Sequence, residues 1–353
     1  MTDALINRAR SVPGGGLRPD GITAVDPLDE ALIAQVNTLV AEAAAVDQPD
    51  APPPCPLDLT GSLRFAWPGT RGEDYVARLD GRPVGLLRLL VPLDTAEPAV
   101  RLDQLTVHPD HRRRGIGSAL YRHALLRARA NSGVRLTAQL VEPLPDGPAR
   151  GPAPVWFAAA VGLRRATTVP PLLRSRLYEP APRPPTELPH HPGYAVVHWG
   201  SAVPEPHLPD LAVLEAVLRP GADADPEPPL PGAPALARIR AFETMRAVRQ
   251  RHAWQTAVRH RDTGRVVAWT SLTMTHSVRA AALQGTTVVH PRHRGHGLGL
   301  LMKLENLRYA LRHEPRLCTV ETLNAVGNRP MHRINLALGF QPVDRVVTWE
   351  TLL

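Results

Sequence analysis

Cysteine is nearly absent: Cys55 and Cys318 are the only two, far apart in the chain. No disulfide framework and no zinc-type spacing can be built from them, which fits a reducing compartment. Lysine is scarcer still. Of the 41 basic residues only Lys303 is a lysine. Arginine-for-lysine on that scale, beside abundant Ala and Pro, reads as codon bias in a GC-rich genome, so arginine alone argues for no partner. Aromatic residues make up 4%, too few to interleave with the basic residues as a stacking platform for single-stranded nucleic acid. Long apolar runs are missing too. The greasiest stretch, Val84 to Leu93, contains Arg88 and Pro92 and is too short to span a bilayer. The N-terminal MTDALINRARSVPGGG has no apolar core of a signal peptide. The expectation is a cytoplasmic protein without membrane or nucleic-acid partners and without a metal.

What is present suits two or three domains. The 353 residues suffice for two real cores. Hydrophobic residues at 43% and charged residues at 21% are globular values. Gly 26 and Pro 39 stay below low-complexity content, but the prolines cluster and so mark loops. A net charge of +8 raises the prior for a polyanionic ligand. The arginines are scattered, however, and no nucleic-acid-binding motif accompanies them.

The chain repeats itself. Val107-His108-Pro109-Asp110-His111-Arg112-Arg113-Arg114-Gly115-Ile116-Gly117 returns 182 residues later as Val289-His290-Pro291-Arg292-His293-Arg294-Gly295-His296-Gly297-Leu298-Gly299. Upstream, Leu79-Asp80-Gly81-Arg82 answers to Asp262-Thr263-Gly264-Arg265; downstream, Val161-Gly162-Leu163 answers to Leu338-Gly339-Phe340. Three landmarks in one order indicate two copies of one fold. The boundaries are expected at 1–179 and 194–353, with the Pro-rich 180–193 as a semi-rigid linker. A second Pro-rich loop, 220–234, lies inside the C-terminal copy.

Periodicity predicts the same elements in each copy. A strand begins near Ile22 or Tyr194. Helical sequence follows over Ala31–Ala45, or Asp210–Leu218 with Leu236–His252. A hairpin comes next (Tyr75–Leu79 with Val84–Leu90; Thr256–His260 with Val266–Met274). A strand (Val100–Val107; Ala281–Val289) then leads through the glycine loop into a helix, where Leu300, Leu304, Leu307 and Leu311 form one stripe. Another strand (Arg135–Val141; Cys318–Leu323), a short helix and a last strand complete the copy. The class is α/β (α+β), with a mixed, mostly antiparallel sheet flanked by helices.

A glycine loop between a strand end and a helix start lets a ligand approach the main chain closely. The free N–H groups of the helix's first turn and its dipole then favour phosphate, and Arg112 or Arg294 adds fixed charge. A nucleotide P-loop needs Gly-Lys-Ser/Thr, and neither copy has it. A Rossmann fingerprint needs a third glycine, where Leu120 and Met302 stand, and follows the first strand rather than the fourth. The Arg-x-x-Gly-x-Gly spacing after a hydrophobic strand instead resembles the acyl-CoA loop of the GNAT (GCN5-related) N-acetyltransferase superfamily. The resemblance covers the whole chain, twice. It is stronger in the C-terminal copy, and the tandem arrangement is similar to that of mycothiol synthases.

The resemblance implies acyl transfer from acetyl-CoA, or another acyl-CoA, to a small-molecule amine in a ternary complex. It places the pyrophosphate on the amides of Arg113, Arg114, Gly115, Ile116, Gly117 and Ser118 in the first copy. In the second it places it on those of Gly295, His296, Gly297, Leu298, Gly299 and Leu300. The pantetheine arm would pair with Leu105, Thr106 and Val107, or with Thr287, Val288 and Val289, at a splay in the sheet. Asn324 and Asn328 would also contact the cofactor.

The sequence departs from the family where many members place a tyrosine acid. Asn335 stands there in the C-terminal copy and Ala158 in the N-terminal one, so the C-terminal copy is expected to be the working site. Asn335 can hydrogen-bond the thioester or be a satisfied core amide. Asn328, followed by Arg329-Pro330, has the form of a helix N-cap. Glu321 is the leading base candidate and can equally face solvent; His276 and Asp103 are weaker ones. His108 and His290 read as shaping the loop, and Trp254 and Trp269 as core. A CoA-binding module without turnover and a nucleic-acid binder are the competing functions. The acceptor, the acyl chain length and the oligomeric state, monomer or homodimer, are left open.

Overall fold

The computed structural model describes residues 21–93, 95, 98–179, 191–218, 233–275 and 280–353. Most of the two Pro-rich segments and His276 lie outside the described residues. The chain forms two compact units. The first comprises residues 1–56, 69–171 and 345–353, and the second residues 57–68 and 172–344. Neither unit is therefore one continuous run of chain. The final strand, β13 (Gln341–Leu352), begins in the second unit and gives its C-terminal part to the first.

In the first unit, α1 (Glu30–Asp47) starts where the Asp29 side chain accepts the Leu32 N–H at 2.9 Å. It buries Leu32, Ile33, Val36, Leu39, Val40 and Ala43, one apolar stripe. β1 (Gly21–Ala24), β2 (Thr70–Leu79), β3 (Arg82–Pro92) and β4 (Ala99–Val107) form an antiparallel run. Asp80 and Gly81 make the β2–β3 turn, both with positive φ (51° and 73°), the geometry that Asp-Gly favours in tight hairpins. α3 (Ile116–Ala130) packs Ile116, Leu120, Tyr121, Ala124 and Ala128 into the core. β5 (Arg135–Pro143), α4 (Ala153–Ala160), the short β6 (Arg164–Arg165) and the end of β13 complete the unit. Between α1 and β2 lies α2 (Pro56–Arg64), which belongs to the second unit and which periodicity did not predict. Its start hides among Pro52, Pro53, Pro54 and Pro56, which read as loop; Pro56 in fact takes the first helical position.

The second unit repeats the plan. β8 (Tyr194–Trp199) pairs with β9 (Arg251–His260), β9 with β10 (Val266–Thr275), and β10 with β11 (Ala280–Val289), all antiparallel. β12 (Leu317–Ala325) runs parallel to β11 and antiparallel to β7 (Leu172–Tyr178). The helices are α5 (Leu208–Val217), α6 (Ala233–Val248), α7 (Leu298–His313) and α8 (Arg329–Ala337). The leucine stripe predicted for α7 is only half right. Leu304 and Leu307 are buried, but the inward face also carries Leu298, Met302, Ala310 and the two polar residues Lys303 and Asn306.

One feature recurs in both units and positions the site. β4 and β5 pair only from Ala99–Arg135 to Leu102–Ala138, although β4 runs on to Val107 and β5 to Pro143. β11 and β12 likewise pair only up to Leu283–Glu321, while the strands continue to Val289 and Ala325. Each pair of parallel strands therefore splays. The main chain of 103–107, and of 284–289, faces the gap without a ladder partner across it. No helix among the described residues is long and apolar enough to cross a membrane.

Candidate active site

Each splayed strand leads into the glycine loop through a 3-10 turn, Pro109–His111 or Pro291–His293. His108 Nδ1 accepts the Asp110 N–H at 3.2 Å, and His290 Nδ1 accepts the Arg292 N–H at 3.4 Å. These histidines shape the turn, as the sequence suggested. Burial and the neighbouring Arg292 and Arg294 charges hold His290 below the usual histidine range.

Two left-handed residues, spaced by two, then bend each loop. They are Arg113 (φ 63°) and Gly115 (φ 83°) in the first copy, Gly295 (φ 81°) and Gly297 (φ 71°) in the second. Such alternation turns successive N–H groups to one side and makes an anion-binding nest. Gly115 and Gly297 occupy the N-cap positions of α3 and α7, and no side chain caps either helix. The loops are open: Arg113, Arg114 and Gly115 are exposed, as are Arg294, Gly295, His296 and Gly297. A Cβ on Gly115 would meet nothing within 4 Å. The second glycine of each pair packs inward. A Cβ on Gly299 would lie 2.9 Å from Ile334 on α8, and one on Gly117 3.4 Å from Phe157 on α4. An exposed, uncapped helix start fits the pyrophosphate of CoA, and the unpaired strand edge fits its amide-bearing arm.

The loop arginines fold back onto the strands. Arg112 Nε donates to the Val107 carbonyl at 3.1 Å, and Arg294 Nε to that of Val289 at 3.3 Å. In the first copy the guanidinium also grips Asp47 through two 2.8 Å bonds, which offsets its charge.

Deeper in the second unit a polar chain crosses the core. Lys303 on α7, 2% exposed, donates from Nζ to Asn335 Oδ1 at 2.5 Å. Asn335 on α8, also 2% exposed, donates from Nδ2 to Asn324 Oδ1 at 2.8 Å. Asn324 stands on the splayed part of β12, three residues past its last pair with β11. The Lys303 ammonium lies 5.0 Å from the centre of the Phe340 ring. Burial pushes its pKa down to about 7. One turn further along α7, the fully buried Asn306 accepts from Thr256 Oγ1 at 2.9 Å.

Glu321 does not stand free in the site. Directly opposite Arg176 in the β12–β7 pairing, it accepts from Arg176 Nε at 2.8 Å. Asn328 caps α8, accepting the Met331 N–H at 3.2 Å. Asp103 is paired with Arg101 at 2.8 Å. Trp254 and Trp269 are core residues, and Trp269 Nε1 donates to Gln255 at 3.1 Å. Among the described residues no group of three His, Cys, Asp or Glu side chains is placed to hold a metal. Lys303 was assigned no role from the sequence; a lysine amine ordinarily reaches solvent. Its interior helical position beside Met302 and Leu304 was the available signal.

This geometry has known relatives. A tandem GNAT protein from the clavulanic acid biosynthesis pathway, determined without AcCoA, is 42% identical with a TM-score of 0.84, over 94% of this chain and 98% of its own. The chain belongs to the GNAT acetyltransferase family. The model of the Acetyltransferase (GNAT) family matches residues 39–146, in the N-terminal copy. A mycothiol acetyltransferase of Salinispora arenicola is 32% identical over 165 residues, 46% of this chain and 47% of that protein, so the match spans about half of that relative. A GCN5-related N-acetyltransferase from Sphaerobacter thermophilus shares the fold at 19% identity, with a TM-score of 0.58 over 95% of this chain and 97% of its own. The tandem GNAT organisation expected from the internal repeat is shared with the protein of the clavulanic acid pathway.

Proposed function

We propose that the chain transfers an acyl group from an acyl-CoA, acetyl-CoA in the first instance, to the primary amine of a small molecule, and that the C-terminal copy is the working site. The observation that carries this is the coincidence, in one unit, of an open nest of amides, an unpaired strand edge and a buried polar chain ending at the splay. The amides of 295–299 hold the pyrophosphate, the Leu300 N–H being turned instead to the Gly297 carbonyl at 3.1 Å, and the 287–289 edge pairs with the pantetheine arm. Asn335 and Asn324 face the thioester end. The neutral amine attacks the thioester carbonyl carbon; the C–N bond forms, the C–S bond breaks, and the amine's proton passes to solvent or to the departing sulfur. A strand N–H at the splay supplies the hydrogen bond that the tetrahedral oxygen needs. Glu321, spent on Arg176, braces β12 against β7 in this reading.

The relatives favour a small-molecule acceptor: one is a mycothiol acetyltransferase and another belongs to the clavulanic acid biosynthesis pathway. A second reading, a CoA-binding module without turnover, draws on one observation. The tyrosine position holds Asn335 in one copy and the apolar Ala158 in the other. Acetyl-CoA titration against a panel of amines, read by thiol release, separates the two. Release dependent on an amine supports transfer; saturable binding with no release for any amine supports the module.

A further inference from the structure

We propose that Lys303 is a positioning residue of the C-terminal acyl-transfer site, holding Asn335 through its amide oxygen and placing a titratable charge behind the departing thiolate. The inference rests on the function proposed above. An asparagine amide can be turned either way round, and in an apolar setting nothing would choose between them. The protonated amine has only hydrogens to give and no lone pair to offer, so the Lys303 ammonium commits Asn335 Oδ1 to itself. Asn335 Nδ2 is thereby turned to Asn324 Oδ1, and the Asn324 amide on the splayed strand is fixed in its turn.

The second step concerns charge. Among the described residues, the contacts of the Lys303 amine are Asn335 from α8 and the Phe340 ring just before β13, both uncharged. Burial alone accounts for its lowered pKa. A lysine held in this way is destabilised as a cation until an anion arrives nearby. Breaking the C–S bond makes such an anion, and a cation behind Asn335 opposes that charge without being a ligand of the sulfur. A neutral asparagine then does in part what an acid at the same position does for a leaving thiolate.

The absence of any other lysine makes the test direct. The full-length protein labelled only in lysine gives one side-chain amine resonance, that of Lys303. Its titration midpoint is expected at about 7, rising by about one unit or more when CoA, whose thiol can ionise, is added. CoA should leave the midpoint in place in Gly297→Glu, where the pyrophosphate cannot seat. In Lys303→Met, calorimetric affinity for CoA near neutral pH should fall by no more than about tenfold, the loss that a one-unit shift implies, while kcat falls on the order of 100-fold and the alkaline limb of its pH profile disappears. If CoA binds and the midpoint does not move, or sits at the ordinary lysine value, the proposal fails and the proposed function stands. An unchanged kcat and pH profile in Lys303→Met overturns it equally. If calorimetry shows no CoA binding to the wild type, the proposed function fails and this inference with it.

Discussion

Where the C-terminal copy carries Lys303, Asn306 and Asn335, the N-terminal copy carries Tyr121, Ala124 and Ala158 at the matching positions. Both copies keep the splay, the two left-handed loop residues and the uncapped helix. They differ in what lies beneath. In the first, Tyr121 packs edge-on to Phe157 and Ala158 is 1% exposed, so neither an amine nor an amide stands at these positions. In the second, a polar chain runs from α7 to the open strand. The open loop is thus a property of backbone shape, which both copies keep, while the interior side chains beneath it differ between copies that share one fold.

The largest effect should come from the loops. Gly297→Glu and Gly115→Glu impose the same left-handed strain and the same negative charge, so the pair cancels those costs. Thiol release should fall at least about 100-fold in Gly297→Glu and no more than about threefold in Gly115→Glu. The reverse pattern would transfer the working site to the N-terminal copy.

Stability against pH sharpens the comparison next. Lys303 has a folded pKa of about 7, below the unfolded 10.5. The unfolded chain therefore binds more protons between those values, and stability rises with pH across that window. The gain is on the order of 4 kcal/mol. Denaturant unfolding of the wild type and Lys303→Met at pH 6 and pH 10 should show the variant's relative advantage at pH 6 vanishing at pH 10. The first unit shows the opposite sign. Burial opposes ionisation of Glu73, yet hydrogen bonds from Arg127, Asn131, Tyr75 and Arg71 hold its pKa at about 2, against 4.5 unfolded. Its contribution is present above 4.5 and lost as pH falls towards 2. It amounts to at most about 3 kcal/mol, less with solvent screening. Glu73→Gln should flatten the acid limb of an unfolding series over that range.

Glu321→Gln is a smaller test. Its carboxylate pairs with the fully buried Arg176. The expected loss is about 1–3 kcal/mol of stability with kcat changed less than about threefold. A kcat loss of about 100-fold with unchanged stability would restore Glu321 as the base. The smallest effect is expected from Ala158→Asn. An amide in the apolar core of the first unit should cost about 1–3 kcal/mol of stability and leave turnover untouched.

Backbone-level features were legible in the sequence. The duplicated Val-His-Pro and Gly-x-Gly segments located both loops, and alternation located the strands that splay beside them. Asn328 was legible as a cap because Arg-Pro follows it. Three things were not. The helix at Pro56–Arg64 is masked by its prolines. Glu321 looked available because the opposing Arg176 lies far away in sequence, and only strand pairing brings them together. Lys303 drew no reading beyond its being the one lysine, because a leucine count cannot show which α7 residues face inward, and its partner Asn335 lies on another helix.

The central claim is that the C-terminal nest of amides seats CoA. Calorimetric titration of CoA into the wild type, Gly297→Glu and Gly115→Glu tests it without needing the acceptor. The account predicts saturable binding to the wild type, and loss in Gly297→Glu of the affinity that supports turnover. Binding that Gly297→Glu leaves intact, or no binding at all, would contradict it.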